Sequence, residues 1–388
     1  MADGHNDLAW ALRKLSVFDD RAEQSGYVGP IDLDGVIPDL TVEQPDLQTD
    51  LVRLRRGRVG LQFWSVYVPC DHVGHTAVTA VLEQIELVHA MIARFPEHLA
   101  LARTADEAEA AFLSGRIASM LGAEGGHCIA DSLAVLRAFW RLGVRYLTLT
   151  HNNNTAWADS ATDEPRHGGL TDFGEAVVRE CNRIGMLVDL SHVAPATMRC
   201  ALDTTTAPVV FSHSSCRAIA DHPRNVPDDV LARLATNGGV CMITFVPQFV
   251  SADYANWDRL LREAMTEAGA DHRDLAARHR FATAWRGPRR PEVTIDDVIP
   301  HIEHAREVAG IDHIGLGGDY DGVATQPAGL EDVSCYPALF ALLLERGWSE
   351  QDCAKLAGRN VLRVLRDAET VAAAKAATVA VPPGRSAD

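Results

Sequence analysis

Apolar residues occur along this chain in short, nearly continuous runs, and longer segments of mixed polarity separate one run from the next. Runs of this kind are typical of strands that are buried on both faces. We predict eight strands: one in the opening segment around His5, and one in each of VGLQFWSVYV (59–68), IASMLGAE (117–124), YLTLTH (146–151), GMLVDLSH (185–192), PVVFSH (208–213), GVCMITF (239–245) and HIGLGGD (313–319).

The longer segments place apolar residues three or four positions apart, which is the spacing of one face of a helix. Strands that alternate with helices predict a parallel sheet covered by helices. The clearest helical segments are AVTAVLEQIELVHAMIAR (77–94), SLAVLRAFWRLG (132–143), DFGEAVVRECNRIG (172–185) and TIDDVIPHIEHAREVAG (294–310).

Eight such units favour an α/β fold of the (β/α)8 TIM-barrel class over an open sheet. An open doubly wound sheet would carry a glycine fingerprint after its first strand, and GHNDLAW is not one. We predict a single barrel domain over residues 1–368 with an insertion around 250–290, and a flexible C-terminal tail over 369–388.

Composition narrows the function classes. Hydrophobic residues make up 47% and charged residues 23% of the chain, which is typical of a globular protein. The formal net charge of −17 argues against nucleic acid as a partner. Because no apolar run approaches about 20 residues and no secretory signal is recognisable, no membrane association is expected. The eight cysteines include no C-x-x-C pair, so we expect reduced thiols and a cytoplasmic location.

Chemistry-bearing side chains stand where the predicted strands end. In this class of barrel the C-terminal ends of the strands form the rim that carries the active site. His5 and Asp7 are two positions apart on the first strand and therefore point to the same face. The residues at the strand ends are His5, Asp7, Glu124, His151, His192, His213 and Asp319.

Imidazoles and carboxylates are the ligands expected for Zn²⁺ or a similar metal. Four of them could form one closed structural site. Five, with one bridging carboxylate, fit two metals about 3.5–4 Å apart that share a water and lower its pKa to about 7. Asp319 would lie beside that water, where an ionised carboxylate can accept a proton and pass it to a leaving group.

Several short motifs, in their order along the chain, closely resemble those of the membrane dipeptidase (renal dipeptidase) family of binuclear zinc peptidases, within the amidohydrolase superfamily. The resemblance runs from residue 3 to about residue 365. The motifs are DGHND, GAEGGH, YLTLTHNNNTAWAD, LVDLSH, VVFSHSS, RNVPDD and GLGGDYDG.

The resemblance implies a role for each site residue. His5 and Asp7 would bind one zinc, His192 and His213 the other, and Glu124 would bridge the two. By the same likeness Asp319 is the catalytic acid/base of the eighth strand. His151 would contact the scissile carbonyl oxygen, and Arg224 would bind the substrate carboxylate.

The implied activity is zinc-dependent hydrolysis of dipeptides to free amino acids by attack of a metal-bridging hydroxide, including dipeptides with a C-terminal D-residue. Two Zn²⁺ per chain are expected, with Mn²⁺ or Co²⁺ as possible substitutes, and the family suggests a homodimer. This chain departs from the family at Phe249, which aligns with a substrate-contacting tyrosine. Mammalian members are also secreted and lipid-anchored, whereas neither signal is recognisable in this sequence.

Two other functions stay open at this stage. A metal amidohydrolase acting on another small amide or a lactone would keep the ligands but would not need Arg224. A non-catalytic barrel that binds peptide or metal would tolerate Asp319→Asn.

Other motifs have simpler interpretations. GDYDG is no calcium loop, because Ala324 and Leu330 replace the glycine and glutamate that such a loop requires. FSHSS lacks the elbow glycines of a serine hydrolase. We expect His127 to make a turn hydrogen bond, Asp321 to support Asp319, and the pair His301 and His304 to lie on a solvated helix face.

Overall fold

The computed structural model describes residues 1–16, 33–270 and 275–380. Eight parallel strands form a closed barrel. The second strand of the chain pairs with the first strand and also with the fourth, and the first strand also pairs with the last. The predicted (β/α)8 class is therefore confirmed. The strands are β1 (Ala2–Asn6), β2 (Leu61–Ser65), β3 (Leu99–Leu101), β4 (Ile117–Glu124), β5 (Val144–Thr148), β6 (Leu187–Asp189), β7 (Val210–Ser214), β8 (Val240–Ile243) and β9 (Ile314–Leu316).

Strand β3 was not predicted and does not belong to the barrel wall. It pairs with the first residues of β4, from Leu99 opposite Ile117 to Leu101 opposite Ser119. From Leu121 onward the same edge of β4 pairs with β5. A strand of three residues is too short to give a readable apolar pattern, which is why the sequence did not reveal it.

Helices follow the strands around the barrel. They are α1 (Leu8–Ser16), α2 (Leu33–Val36), α3 (Leu51–Arg56), α4 (His75–Arg94), α5 (Ala105–Leu113), α6 (Leu133–Arg141), α7 (Asp172–Ile184), α8 (Pro195–Thr204), α9 (Asp228–Asn237), α10 (Pro247–Val250), α11 (Ala252–Glu267), α12 (Leu275–Ala284), α13 (Ile295–Ala309), α14 (Tyr336–Glu345), α15 (Glu350–Ala354) and α16 (Asn360–Ala380). Helices α10, α11 and α12 lie between β8 and α13, in the region where the sequence predicts an insertion around residues 250–290.

Helix α4 is more apolar than the sequence analysis allowed. Among the described residues it is the one helix long and apolar enough to pass a length-and-composition test for a membrane span. About 44% of its apolar window is buried within the fold, and a core helix of a globular domain passes the same test. Nine of its residues, including Val81, Ile85 and Val88, are buried.

The barrel floor is filled by side chains and closed by the last helix. Phe63, Met120, Tyr146 and Met242 belong to one core cluster at the lower end of the strands. The same cluster includes residues 361, 364, 365 and 368 of α16. With the floor packed, the open space for chemistry lies at the opposite end, where the strands terminate.

Two expectations need correction. The tail was predicted to start at residue 369, but α16 continues to Ala380, and Glu369 accepts a hydrogen bond from the backbone N–H of Ala105. Residues 381–388 of the predicted tail lie outside the described residues. The solvated face predicted for His301 is also wrong, because the insertion covers this part of α13 and leaves His301 fully buried. His304 is half-buried and lies 2.8 Å from Asp228.

Candidate metal centre

Strand β1 and the residue that follows it bring two predicted ligands to the barrel interior. The Nε2 atom of His5 lies 3.2 Å from Oδ2 of Asp7, the first residue after the strand. Asn6 points the other way, and its amide donates to the Thr49 hydroxyl at 2.8 Å. The HND triplet therefore places two ligands inside and one anchor outside.

Glu124, at the end of β4, lies between the histidines. Its Oε2 atom is 3.4 Å from Nε2 of His5, and its Oε1 atom is 3.0 Å from Nε2 of His192 and 3.3 Å from Nε2 of His213. The hydroxyl of Ser65 donates to Oε2 at 3.1 Å. One carboxylate thus faces ligands on both sides, which is the arrangement of a bridging ligand.

His192, in the loop after β6, and His213, on β7, converge on one point. Their Nε2 atoms are 3.0 Å apart. The Nδ1 atom of His213 lies 2.8 Å from the Ser212 hydroxyl, which in turn donates to the buried Asp189 at 2.6 Å. On the opposite side, Nδ1 of His5 lies 2.8 Å from the Tyr146 hydroxyl. Such contacts fix ring orientation, and metal-binding histidines usually have them.

Ser212, Asp189 and Tyr146 were not among the predicted site residues. All three lie inside runs assigned to strands, and all three are buried. A polar side chain within a buried strand was the available signal, because such a group needs a partner. Which partner it finds depends on side-chain direction, which the sequence does not give.

Asp319 follows β9 in a tight turn. Its Oδ1 atom is 4.0 Å from Nε2 of His5, and its backbone has the left-handed φ of 58° that favours glycine. Gly322 closes the turn. A Cβ at this position would collide with the carboxylates of both Asp319 and Asp7. A glycine is therefore required where the chain passes over the two acids.

Burial and close approach shift the pKa values of these groups. Burial opposes ionisation of Glu124, but the surrounding His5, His192 and His213 hold the pKa of its carboxyl well below the usual value. Burial, aided by the nearby Arg224 cation, lowers the pKa of His192 and His213 well below 6.5, so both are neutral, as metal ligands must be.

Asp319 shifts in the opposite direction. Burial raises the pKa of its carboxyl well above the usual value; the nearby His5 opposes this shift, and the carboxylates of Asp7 and Glu124 add to it. A dication at this position would favour the ionised form instead.

The donor set fits metal ions. Nε2 of His5 and Oδ1 of Asp7 are buried and have no hydrogen-bond partner within the described structure. Such orphaned atoms call for an explanation, and a metal ion supplies one. Three overlapping groups have ligand atoms within 4.8 Å of one another: His5, Glu124 and His213; Glu124, His151 and His192; and His5, Asp7 and Asp319.

His151 lies beside this cluster rather than remote from it. Its Nδ1 atom is 3.4 Å from Sγ of Cys70, and its ring contacts the rings of His192 and Tyr67 at centroid distances of 4.4 and 4.8 Å. Removal from water lowers the pKa of His151 to about 4, so its imidazole is neutral at physiological pH.

Arg224 is a buried cation with unused donors. Arg224 is only 3% exposed, and its Nη2 atom donates to the backbone carbonyl of His213 at 3.4 Å. Nε and Nη1 are buried without a partner in the described structure. The guanidinium carbon lies 5.0 Å from the ring centroid of Phe249. Phe249, which aligns with a tyrosine of the family, therefore presents an apolar ring to Arg224. Unpaired guanidinium N–H groups suit an anion.

Two minor expectations have clear outcomes. His127 contacts the backbone carbonyl of Val68 at 3.2 Å, which is a contact to a distant segment and not the predicted turn hydrogen bond. Asp321 accepts a hydrogen bond from the backbone N–H of Gln48 at 2.7 Å, and burial raises the pKa of its carboxyl to about 6. It contacts a neighbouring loop rather than the Asp319 carboxylate.

Comparison with known proteins places these observations in a family. The sequence profile described as membrane dipeptidase (peptidase family M19) matches residues 1–379. An uncharacterized dipeptidase of Schizosaccharomyces pombe is 41% identical over 383 residues, which cover 95% of this chain and 81% of that protein. The dipeptidase VerJ of Clonostachys rogersoniana is 42% identical over 334 residues, covering 83% and 76% respectively.

The fold also matches solved structures. A metallopeptidase from Rhodobacter sphaeroides, bound to a phosphinate mimic of the dipeptide L-Ala-D-Ala, superposes with a TM-score of 0.71. It is 23% identical, and the match covers 94% of this chain and 98% of that one. At this identity the likeness supports the fold.

Proposed function

The chain belongs to the membrane dipeptidase family, peptidase family M19, and from this premise we propose that it is a zinc-dependent dipeptidase. It would bind two zinc ions and hydrolyse dipeptides to free amino acids. Dipeptides with a D-residue on the C-terminal side are included among its substrates. Manganese or cobalt could occupy the same ligands.

The observation that carries this proposal is Arg224. A guanidinium whose Nε and Nη1 atoms lack a hydrogen-bond partner in the described structure lies buried beside His213, at the edge of the candidate metal cluster. A dipeptide has a free carboxylate one residue from its scissile bond, and a guanidinium binds a carboxylate through two parallel hydrogen bonds. An amide or lactone substrate without a carboxylate would leave this buried charge uncompensated.

The ligands divide into two sets. His5 and Asp7 would hold one zinc ion, His192 and His213 the other, and Glu124 would contact both. Two zinc ions, when bound, would lower the pKa of a water molecule so that it is a nucleophile at neutral pH.

The remaining residues act on the substrate. Asp319 accepts a proton as the water attacks the scissile carbonyl, and then donates it to the departing amine. His151 contacts Cys70 through Nδ1, which leaves Nε2 available to donate to the carbonyl oxygen as negative charge develops there. Arg224 holds the carboxylate and thereby fixes the distance between the scissile bond and Asp319.

A dipeptide library tests the proposal. The purified protein is stripped of metal, reconstituted with zinc, and supplied with dipeptides that vary both side chains and the chirality of the C-terminal residue. L-Ala-D-Ala is the first D-containing substrate to include. We expect zinc-dependent release of free amino acids. Absence of cleavage of every dipeptide by protein that holds two zinc ions would overturn the proposal and direct attention to lactones and other amides.

A further inference from the structure

The turn that carries Asp319 is held in an unfavourable backbone conformation. Asp319 and Asp321 have φ values of 58° and 64°, although neither is glycine. L-residues with side chains rarely adopt this region. Two such residues in three positions persist only where the surrounding structure enforces them. The groups that enforce the turn therefore determine where the Asp319 carboxylate lies.

Gln48 contacts this turn through three hydrogen bonds. Its backbone N–H donates to Oδ1 of Asp321 at 2.7 Å, and its side-chain Oε1 accepts the backbone N–H of Asp321 at 2.8 Å. Its side-chain Nε2 donates to the carbonyl of Val323 at 3.0 Å. The amide side chain thus pairs with the turn as a neighbouring strand would, and both of its polar ends are used.

The loop that presents Gln48 is itself anchored. Thr49 accepts the Asn6 amide at 2.8 Å, which ties the loop to the end of β1 between His5 and Asp7. Asp50 caps helix α3 by accepting the backbone N–H of Arg53 at 2.8 Å. The loop therefore connects the strand that carries two ligands with the turn that carries the acid.

We propose that Gln48 is a positioning residue for Asp319. It fixes the turn after β9 and, through that turn, the placement of the Asp319 carboxylate relative to His5 and Asp7. Its effect on catalysis rests on the proposed dipeptidase function, whereas its effect on the turn does not. Nothing about Gln48 requires contact with the substrate.

The matched pair of variants is Gln48→Met and Gln44→Met. Both remove a side-chain amide from the same loop with similar volume. The side-chain amide of Gln44 donates to carbonyls of its own loop, those of Asp39 at 2.8 Å and Val42 at 3.3 Å. Hydrogen exchange of a peptide covering residues 318–324 should accelerate at least tenfold in Gln48→Met and stay unchanged in Gln44→Met.

The catalytic arm uses the zinc-loaded enzyme. We expect kcat for a dipeptide to fall by about 10- to 100-fold in Gln48→Met, with KM within about twofold, because a misplaced acid slows chemistry without weakening binding. Asp321→Ala should have a similar effect, and the double variant should be no worse than either single one. Asp321→Asn keeps an oxygen for the Gln48 N–H and should retain most of the activity.

Different negative results would overturn the positioning role of Gln48 and the proposed function. Unchanged exchange at 318–324 in Gln48→Met, or additive effects of Gln48→Met and Asp321→Ala on kcat, would overturn the positioning role. A wild-type enzyme that cleaves no dipeptide would overturn the proposed function instead, and the exchange data alone would then decide whether Gln48 holds the turn.

Discussion

At the residue scale, Arg224 is a positive charge removed from water without full compensation. Burial lowers the pKa of its guanidinium to about 10, and the acids that oppose this shift, Asp319 and Glu124 first among them, belong to the candidate metal centre. A buried charge that lacks partners is costly, so its presence points to an anion that completes it. The substrate carboxylate is the anion that the proposed function provides.

Replacing Arg224 by methionine removes the charge and keeps most of the side-chain volume. Loss of one partner of a buried charge pair costs about 2–5 kcal/mol, so we expect kcat/KM for a dipeptide to fall by about 30- to 5,000-fold, mainly through KM. Steady-state kinetics on a dipeptide and on its C-terminal amide measure the effect. The control is Arg217→Met in the same loop, whose partner is Asp221 at 3.4 Å. Equal losses on the dipeptide and its amide would contradict carboxylate recognition.

The clustering of the candidate ligands could be predicted from sequence because metal-capable residues recur at strand ends, where a barrel brings them together. His5, Glu124, His192 and His213 lie within 3.5 Å of a neighbouring ligand. The supporting contacts could not be predicted in the same way. Gln48 reaches the Asp319 turn across 273 residues of chain, and no local pattern encodes a contact of that kind.

At the element scale, helix α13 shows how an insertion changes the role of a side chain. The backbone N–H of Cys216 donates to Nδ1 of His301 at 3.0 Å, and Nε2 of His301 lies 3.2 Å from the carbonyl of Val250 in α10. The histidine therefore joins the β7 loop to the insertion. Its environment comes from segments distant in sequence, which is why helical periodicity alone wrongly placed it on a solvated face.

This contact predicts a pH-dependent stability. Burial lowers the pKa of His301 from 6.5 to about 4. Between these values the unfolded chain binds a proton that the folded chain does not, so stability falls as the pH drops from about 6.5 to about 4. At about 1.4 kcal/mol per pKa unit, the loss is about 3 kcal/mol.

Denaturant unfolding at a series of pH values measures this loss. From pH 7 to pH 4 the free energy of unfolding of wild type should fall by about 3 kcal/mol relative to that of His301→Gln, because the glutamine does not titrate. His304→Gln, on the same helix, controls for loss of an imidazole. Parallel pH curves for wild type and His301→Gln would show that His301 does not carry the effect.

Strand boundaries illustrate what periodicity can and cannot give. The predicted runs overlap all eight barrel strands, yet the run 185–192 contains a strand of only three residues, Leu187–Asp189. The last residue of the predicted run, His192, has a φ of 67° and lies in the loop after the strand. Apolar content marks burial rather than hydrogen-bond pairing, so the rim residues were placed correctly while the strand ends were not.

At the scale of the whole molecule, the metal cluster links parts of the barrel that are far apart in sequence. Its candidate ligands lie at or just after the ends of β1, β4, β6 and β7, and the candidate acid Asp319 lies in the turn after β9. The alternation of strands and helices was sufficient to predict this architecture, because eight repeats of one unit leave few alternatives. The extent of α16 was underestimated, because the alanine-rich sequence after residue 368 has a high helix propensity and continues the helix to Ala380.

A cluster that joins several strands predicts that metal stabilises the fold. A ligand at 1,000 times its Kd adds about 4 kcal/mol to the free energy of unfolding, so chelation should lower Tm by several degrees and zinc should restore it. Calorimetry of the metal-free and zinc-loaded protein measures the shift. A His192→Asn and His213→Asn double variant should lose a large part of it. Equal Tm values with and without zinc would show that these residues do not bind metal in the folded state.

The central claim is that two metal ions at this cluster make the chain a dipeptidase. The most direct test adds zinc stepwise to the metal-free protein while dipeptide hydrolysis and bound zinc per chain are measured on the same samples. We predict that activity is absent without metal, rises with loading, and reaches its maximum at two zinc ions per chain. Full activity in the metal-free protein, or a maximum at one zinc ion per chain, would contradict the binuclear account.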